Sequence, residues 1–204
     1  DNAETSTFSP TMTNVEEVYI TNQDANSTDT IVFDLTEVEG VKQLWSKNSV
    51  ASSETTFANI GSTAITLGLD NAKEQYTAAF TADAIKGEAD TVSVVATNGT
   101  DAELQFDKDA AGTVDDRDAI EAVSVKSTGT GANKVALDVG DGGNKVASLT
   151  VSGDQKLTLT TNVDFNEVTT VDASENSGGL VIDLGDNAKD VTVTGSSGDD
   201  QVDF

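Results

Sequence analysis

The sequence predicts an all-β protein and, within that class, a predominantly parallel β-solenoid. Three observations carry the prediction. Short runs of Val, Ile, Thr and Leu recur about every eight to twelve residues between clusters of Gly, Asn, Asp and Ser, which is the texture of strands separated by tight turns. Segments of the first half return in the second half. The chain also closes on Gly195-Ser-Ser-Gly198-Asp199-Asp200-Gln-Val202-Asp203-Phe204, one step from the nonapeptide G-G-x-G-x-D-x-U-x that winds calcium-binding parallel β-rolls. An array of Ig-like sandwiches is the alternative; it calls for about seven strands per domain, cleaner in-out alternation and usually a core tryptophan, whereas Trp45 is the sole tryptophan.

In chain order, strands are expected at 15–21, 30–35, 64–69, 91–96, 122–126, 134–139, 147–152, 156–160, 167–172, 180–184 and 190–194. Two windows, 72–81 and 116–122, have alanine and acidic residues near their starts and read as short helices. Tyr19, Phe33 and Trp45 fall in alternating strands, which assigns them to a core or interface rather than to a carbohydrate-stacking surface. Val163 and Phe165 likewise read as core.

The repetition is specific enough to suggest a unit. Asn14-Val-Glu-Glu-Val-Tyr-Ile20 is echoed by Ala119-Ile-Glu-Ala-Val-Ser-Val125, and Ile31-Val-Phe-Asp-Leu35 by Val135-Ala-Leu-Asp-Val139. Leu67-Gly-Leu-Asp-Asn-Ala-Lys73 matches Leu184-Gly-Asp-Asn-Ala-Lys189, and Gly87-Glu-Ala-Asp90-Thr-Val92 matches Gly198-Asp-Asp200-Gln-Val202. A diverged tandem unit of about a hundred residues would hold several stacked rungs. This divides the chain into a first β-rich unit (1–106), an acidic connector (107–118) and a second solenoid unit (119–204).

Composition limits the chemistry. The 204 residues include 36 acidic and 11 basic side chains, no histidine and no cysteine, for a formal charge of -25. Histidine-based acid–base catalysis, Ser-His-Asp and Cys-His sites, Cys/His zinc sites and disulfides all lack their essential groups. The charge repels phosphate backbones and anionic headgroups, so neither nucleic acid nor direct membrane insertion is expected, and no apolar run is long enough to span a bilayer. It suits a divalent cation, which would relieve the self-repulsion and couple stability to metal. The Asp1 start lacks the regions of a signal peptide, so the sequence reads as a fragment of a larger protein.

Ca2+ is therefore the expected cofactor. In the terminal nonapeptide, glycines allow a tight turn whose carbonyls face the ion, the aspartate adds charge, and the apolar Val202 starts a strand facing inward. Gly195, Gly198, Asp199 and Asp200 are the candidate ligands, with Ser196 standing where the second glycine is usual. Asp107-Lys-Asp109-Ala-Ala-Gly112-Thr113-Val-Asp115-Asp-Arg-Asp118 matches an EF-hand loop at positions 1, 3, 6, 9 and 12. Ala111 breaks position 5, Thr113 would offer its carbonyl, and Asp118 replaces the long bidentate glutamate. Asp90, Asp138, Asp141, Asp183 and Asp186 form a second tier; aspartates at strand ends also commonly bond nearby backbone amides.

With those residues in view, the chain resembles the RTX-repeat surface-layer (S-layer) proteins that Gram-negative bacteria export by type I secretion, the second half more closely than the first. The runs 13–20, 171–184 and 191–200 carry the likeness. The resemblance implies β-solenoid rungs with calcium between turns, a structural protein on the extracellular cell surface, and self-assembly into a homo-oligomeric lattice, with any contact to cell-surface polysaccharide lying outside this fragment. RTX adhesins binding glycans or cells share the pattern; an exposed aromatic, or a calcium site open to a sugar hydroxyl, would favour them. A β-helix polysaccharide-modifying enzyme is the third reading, disfavoured because only Arg117 and scattered lysines could face an acidic sugar.

Overall fold

The computed structural model describes residues 4–24, 29–87, 89–108, 119–139, 145–161 and 165–204. The first half contains β1 (Thr5–Phe8), β2 (Met12–Thr13), β3 (Glu17–Ile20), β4 (Thr30–Asp34), β5 (Val38–Glu39), β6 (Gln43–Lys47), β7 (Glu54–Ile60), β8 (Thr66–Asp70), β9 (Gln75–Phe80) and β10 (Thr91–Thr97). The second half contains β11 (Asp101–Lys108), β12 (Ala122–Thr128), β13 (Asn133–Asp138), β14 (Ser148–Gly153), β15 (Leu157–Thr161), β16 (Thr170–Asn176), β17 (Leu180–Asp183), β18 (Thr192–Thr194) and β19 (Gln201–Asp203). Among the described residues there is no helix.

The strands stack as a β-solenoid of two facing parallel sheets. One sheet runs β1-β4-β7-β9-β11-β13-β15-β17-β19, the other β3-β6-β8-β10-β12-β14-β16-β18, and β2 pairs with β5 at one corner. Every ladder is parallel, which rules out the antiparallel Ig-like sandwich. One turn of the coil takes 20 residues from Val181 to its partner Gln201 and 33 from Asp101 to Lys134.

Alternation with period two sends every second side chain between the sheets. In the eight-stranded sheet Val18, Leu44, Leu67, Val94, Val125 and Val151 stand in register as one inward column. In the other, Ala102, Val135, Leu159, Ile182 and Val202 do the same. Val202 thus faces inward, as the nonapeptide requires. Fully burying each Leu, Val or Ile of such a column is worth about 1.5 to 3 kcal/mol.

All eleven expected strands are present, with ends shifted by up to a few residues. The helix expected over 72–81 is instead strand β9. Its alanines signal tight quarters rather than helix: Ala78 sits in register between Phe57 and Phe106, where a larger side chain would not fit. Its neighbours Tyr76 and Phe80 point to the same interior. In the window 116–122, residues 119–121 are non-helical and Ala122 opens β12; 116–118 lie outside the described residues.

The echoes divide. Segments 14–20 and 119–125 lead into or form β3 and β12, four strands apart in one sheet; 31–35 and 135–139 correspond to β4 and β13, likewise four strands apart in the other. The remaining two pairs do not superpose. Leu67–Lys73 belongs to β8 and its turn while Leu184–Lys189 follows β17, and 87–92 leads into β10 while 198–202 leads into β19, so each pair straddles opposite sheets. Those resemblances reflect common turn chemistry, not equivalent position. Both sheets also continue across residues 109–118, since β10 pairs with β12 and β11 with β13.

Candidate functional site

The Gly195–Asp200 segment is a tight turn between β18 and β19, pressed against the preceding turn of the coil. A β-carbon at Gly198 would lie 2.6 Å from the Gly179 amide nitrogen, and one at Gly195 2.6 Å from Oδ2 of Asp200. Close approach of backbone, not a left-handed φ, demands glycine at 198; at Gly195 a β-carbon would push aside the Asp200 carboxylate. The Asp200 carboxylate folds back into this turn. Its Oδ1 accepts the Leu180 N–H at 2.8 Å and the Ser196 hydroxyl at 2.6 Å, and its Oδ2 accepts the Ser196 N–H at 2.8 Å. Desolvation raises its pKa, but the Ser196 hydroxyl, the Leu180 and Ser196 amides and nearby Lys156 together hold it below the usual carboxylate range.

In this arrangement the Asp200 carboxylate is engaged by protein donors. Three donors aim at the carboxylate, and two come from Ser196, the residue that departs from the nonapeptide. The Leu180 N–H makes Asp200 a staple between adjacent rungs, and the Ser196 hydroxyl adds a bond within the turn. The Asp199 main chain packs against Gly179 rather than adding a ligand cluster. Among the described residues no group of three or more Asp or Glu side chains gathers into a metal site.

The other candidates are scattered. Asp107 lies near the end of β11, in register with Ala79; Asp109, Thr113, Asp115, Asp118 and Asp141 lie outside the described residues. Asp183 accepts the Gly185 N–H at 2.9 Å, a strand-end turn, and stands opposite Asp203. Asp186 is exposed in the turn that follows. Asp138 shares an outward face with Glu103 and Glu54; burial, then the charges of Asp138 and Glu54, raise the Glu103 pKa. Asp90 meets Glu121, whose Oε2 accepts the Asp90 N–H at 2.7 Å, and the Asp90 Oδ2 is buried without a partner.

A cleft of about 490 Å³ on the outer face of the nine-stranded sheet brings Lys73 and Lys134 near Glu54, Asp101 and Glu103. Lys134 is tied to Asp101 at 3.2 Å, and both side chains are more than half exposed. Solvent screens such a pair, so it lacks the desolvation that tunes catalytic acids and bases.

Among the described residues one carboxyl is buried inside the stack. Glu74, 1% exposed, accepts the Thr55 and Ser53 hydroxyls on Oε2 at 2.8 and 3.0 Å, while Oε1 has no partner. Burial pushes its pKa up, and the hydroxyls of Ser46, Thr55, Ser53 and Ser49 offset this only in part.

Of the aromatic residues expected in a core or interface, two lie on the outer face and not in the core. Leu44 and Ser46 face the interior, so Trp45 between them faces out; Val18 is buried, so Tyr19 faces out as well. Tyr19 is 51% exposed and stacks on Trp45, with centroids 5.9 Å apart and planes 16° from parallel. Phe33 does pack toward the core, 5.8 Å from Phe57, and Phe165 is buried; Val163 lies outside the described residues. The signal for Tyr19 was present in the alternation Glu17-Val18-Tyr19-Ile20, which puts the tyrosine on the glutamate's face.

No protein-family model matches this chain, and neither a curated protein sequence nor a solved structure is significantly similar to it.

Proposed function

We propose that the chain is a non-catalytic structural module of a bacterial surface layer, secreted to the outside of the cell, where copies assemble into a lattice. One observation carries this reading: the two parallel ladders run without interruption in topology from β1 to β19 and from β3 to β18 around one apolar interior. Such a stack transmits force and register along its length and presents two regular polar faces, as a scaffold requires. With a net charge of -25, neighbouring copies repel unless cations lie between them.

Calcium enters this proposal through that charge and through the Asp107–Asp118 ligand pattern. When bound, it would bridge acidic faces and screen their repulsion. The test is a calcium titration of the purified chain, with magnesium and chelator controls, following circular dichroism and light scattering together. Calcium-specific growth into ordered particles is the expected result. Scattering that is flat at every calcium concentration would contradict the lattice reading.

A further inference from the structure

We propose that Tyr19 and Trp45 form a binding shelf for a neutral saccharide, an activity separate from lattice formation. The shelf lies on the outer face of the eight-stranded sheet, across β3, β6 and β8. It is built rather than incidental. Gly68 stands beside Trp45 in register, and a β-carbon there would lie 2.0 Å from Cδ2 of the indole, so glycine alone lets the ring settle over the backbone.

The polar edges are pinned in a continuous chain. The Trp45 Nε1–H donates to Gln43 Oε1 at 2.9 Å, Gln43 Nε2 donates to Glu17 Oε1 at 3.0 Å, and the Tyr19 hydroxyl donates to Glu17 Oε2 at 2.8 Å. Lys47 sits 5.9 Å from the Tyr19 ring centroid and pairs with Asp70 at 3.1 Å. With their polar tips satisfied internally, the rings offer solvent an apolar, electron-rich surface beside the Lys47 ammonium, and their own edges need no reordering on binding.

The chemistry of the rim selects the occupant. Glu17 and Asp70 keep acceptor lone pairs beyond the bonds they already make, so the ligand must bring hydroxyl donors around an apolar patch of about one ring. A pyranose does this: its C–H face covers an aromatic ring while its equatorial hydroxyls reach the rim. Lys47 on the rim is already paired with Asp70, and Glu17 together with the net charge of -25 disfavours anionic sugars. A quaternary ammonium group needs aromatic walls on several sides, and this shelf is open.

Trp45 is the sole tryptophan, so its fluorescence reports on this site alone. The chain is titrated with neutral hexose and N-acetylhexosamine oligosaccharides, with polygalacturonate and choline as controls. A saturable change in emission in the micromolar to millimolar range is expected for a neutral oligosaccharide and for neither control. Tyr19→Ala should weaken that binding at least tenfold with the circular dichroism spectrum unchanged, and Tyr19→Phe should largely retain it. If Tyr19→Ala unfolds the chain, Gly68→Val, which displaces the indole, takes its place. No response to any neutral oligosaccharide, binding indifferent to Tyr19 and Gly68, or a response to choline or polygalacturonate alone overturns the proposal.

Discussion

The corners after β6, β8 and β10 turn on asparagine, whereas those at the ends of β12 and β14 turn on glycine, and the two solutions cost the chain different things. Asn48, Asn71 and Asn98 take left-handed φ of 54°, 49° and 59°. Their exposed amides ladder outward, Asn71 Nδ2 to Asn48 Oδ1 at 2.9 Å and Asn98 Nδ2 to Asp70 Oδ1 at 2.7 Å. Asparagine tolerates this conformation because its short side chain finds local bonds. At Gly153, with φ of 107°, a β-carbon would lie 2.0 Å from the Ser127 carbonyl oxygen; at Gly129 one would lie 2.7 Å from the Asn98 amide nitrogen. At the N-terminal corners exposed side-chain amides add to rung-to-rung backbone bonds such as Asn48 N–H to Asp70 O at 2.8 Å, whereas at Gly153 backbone is packed directly on backbone. The first kind should absorb substitution and the second should not.

The largest expected effect is at Gly153. Gly153→Ala forces a methyl into backbone at an unfavourable φ and should cost about 3 to 5 kcal/mol, measured by denaturant unfolding. A cost under about 1 kcal/mol would erase the contrast between the two kinds of corner. Next comes Asn133, a buried bracket where the two styles meet. Its Oδ1 accepts the Gly99 and Thr100 N–H groups at 3.0 Å each, and its Nδ2 donates to Ala96 O, Ser127 Oγ and Thr128 O. Asn133→Ala strands several buried groups and should cost about 2 to 3 kcal/mol.

At an outer corner, Asn71→Ala should cost about 1 to 2 kcal/mol and Asn71→Gly less, because glycine restores the left-handed backbone while only an exposed bond is lost. Equal losses would mean that the amide ladder, not the backbone, holds these corners. Glu74→Gln should go the other way, raising stability at neutral pH. The folded pKa of Glu74 is raised, so its contribution is intact below the ordinary glutamate range and is lost as pH rises through the raised value. The gain should therefore fade in acid, and thermal melts across pH will show whether it does.

The smallest effect belongs to the terminal turn. Ser196→Gly removes the hydroxyl that bonds Asp200, so the carboxyl pKa should rise toward the usual range by NMR titration. Asp200 is lowered in the fold, and its support is present above the unfolded value and lost as pH falls through the folded one. The variant should lose that support at a higher pH than the parent.

These contrasts also separate what the sequence makes legible from what it hides. Strands with plain Val, Ile and Thr alternation, such as β10, β12 and β14, can be read directly. β6, β7 and β9 escape because inward positions are held by Ser46, Thr55 and Ala78, residues chosen by neighbours in adjacent rungs rather than along the chain. Tyr19 and Trp45 are seen as aromatic, but the reading leaves core and interface open where the structure puts them outside, since in a strand one residue of phase decides inside from outside. The terminal motif is legible as a turn opening a strand at Val202; that Ser196 engages Asp200 depends on a fold-back geometry no spacing rule contains. Asn133 is invisible in advance, because its five bonds reach residues from 96 to 128 brought together only by stacking.

Hydrogen exchange by mass spectrometry on the chelated chain, repeated with calcium, tests most directly whether the rungs are closed by the chain's own corners. Slow exchange through β7 to β16 in chelator, little changed by calcium, is the expected result. Fast exchange there in chelator, with protection appearing only once calcium is added, would contradict it and make the ion, not the asparagine and glycine corners, what holds the stack.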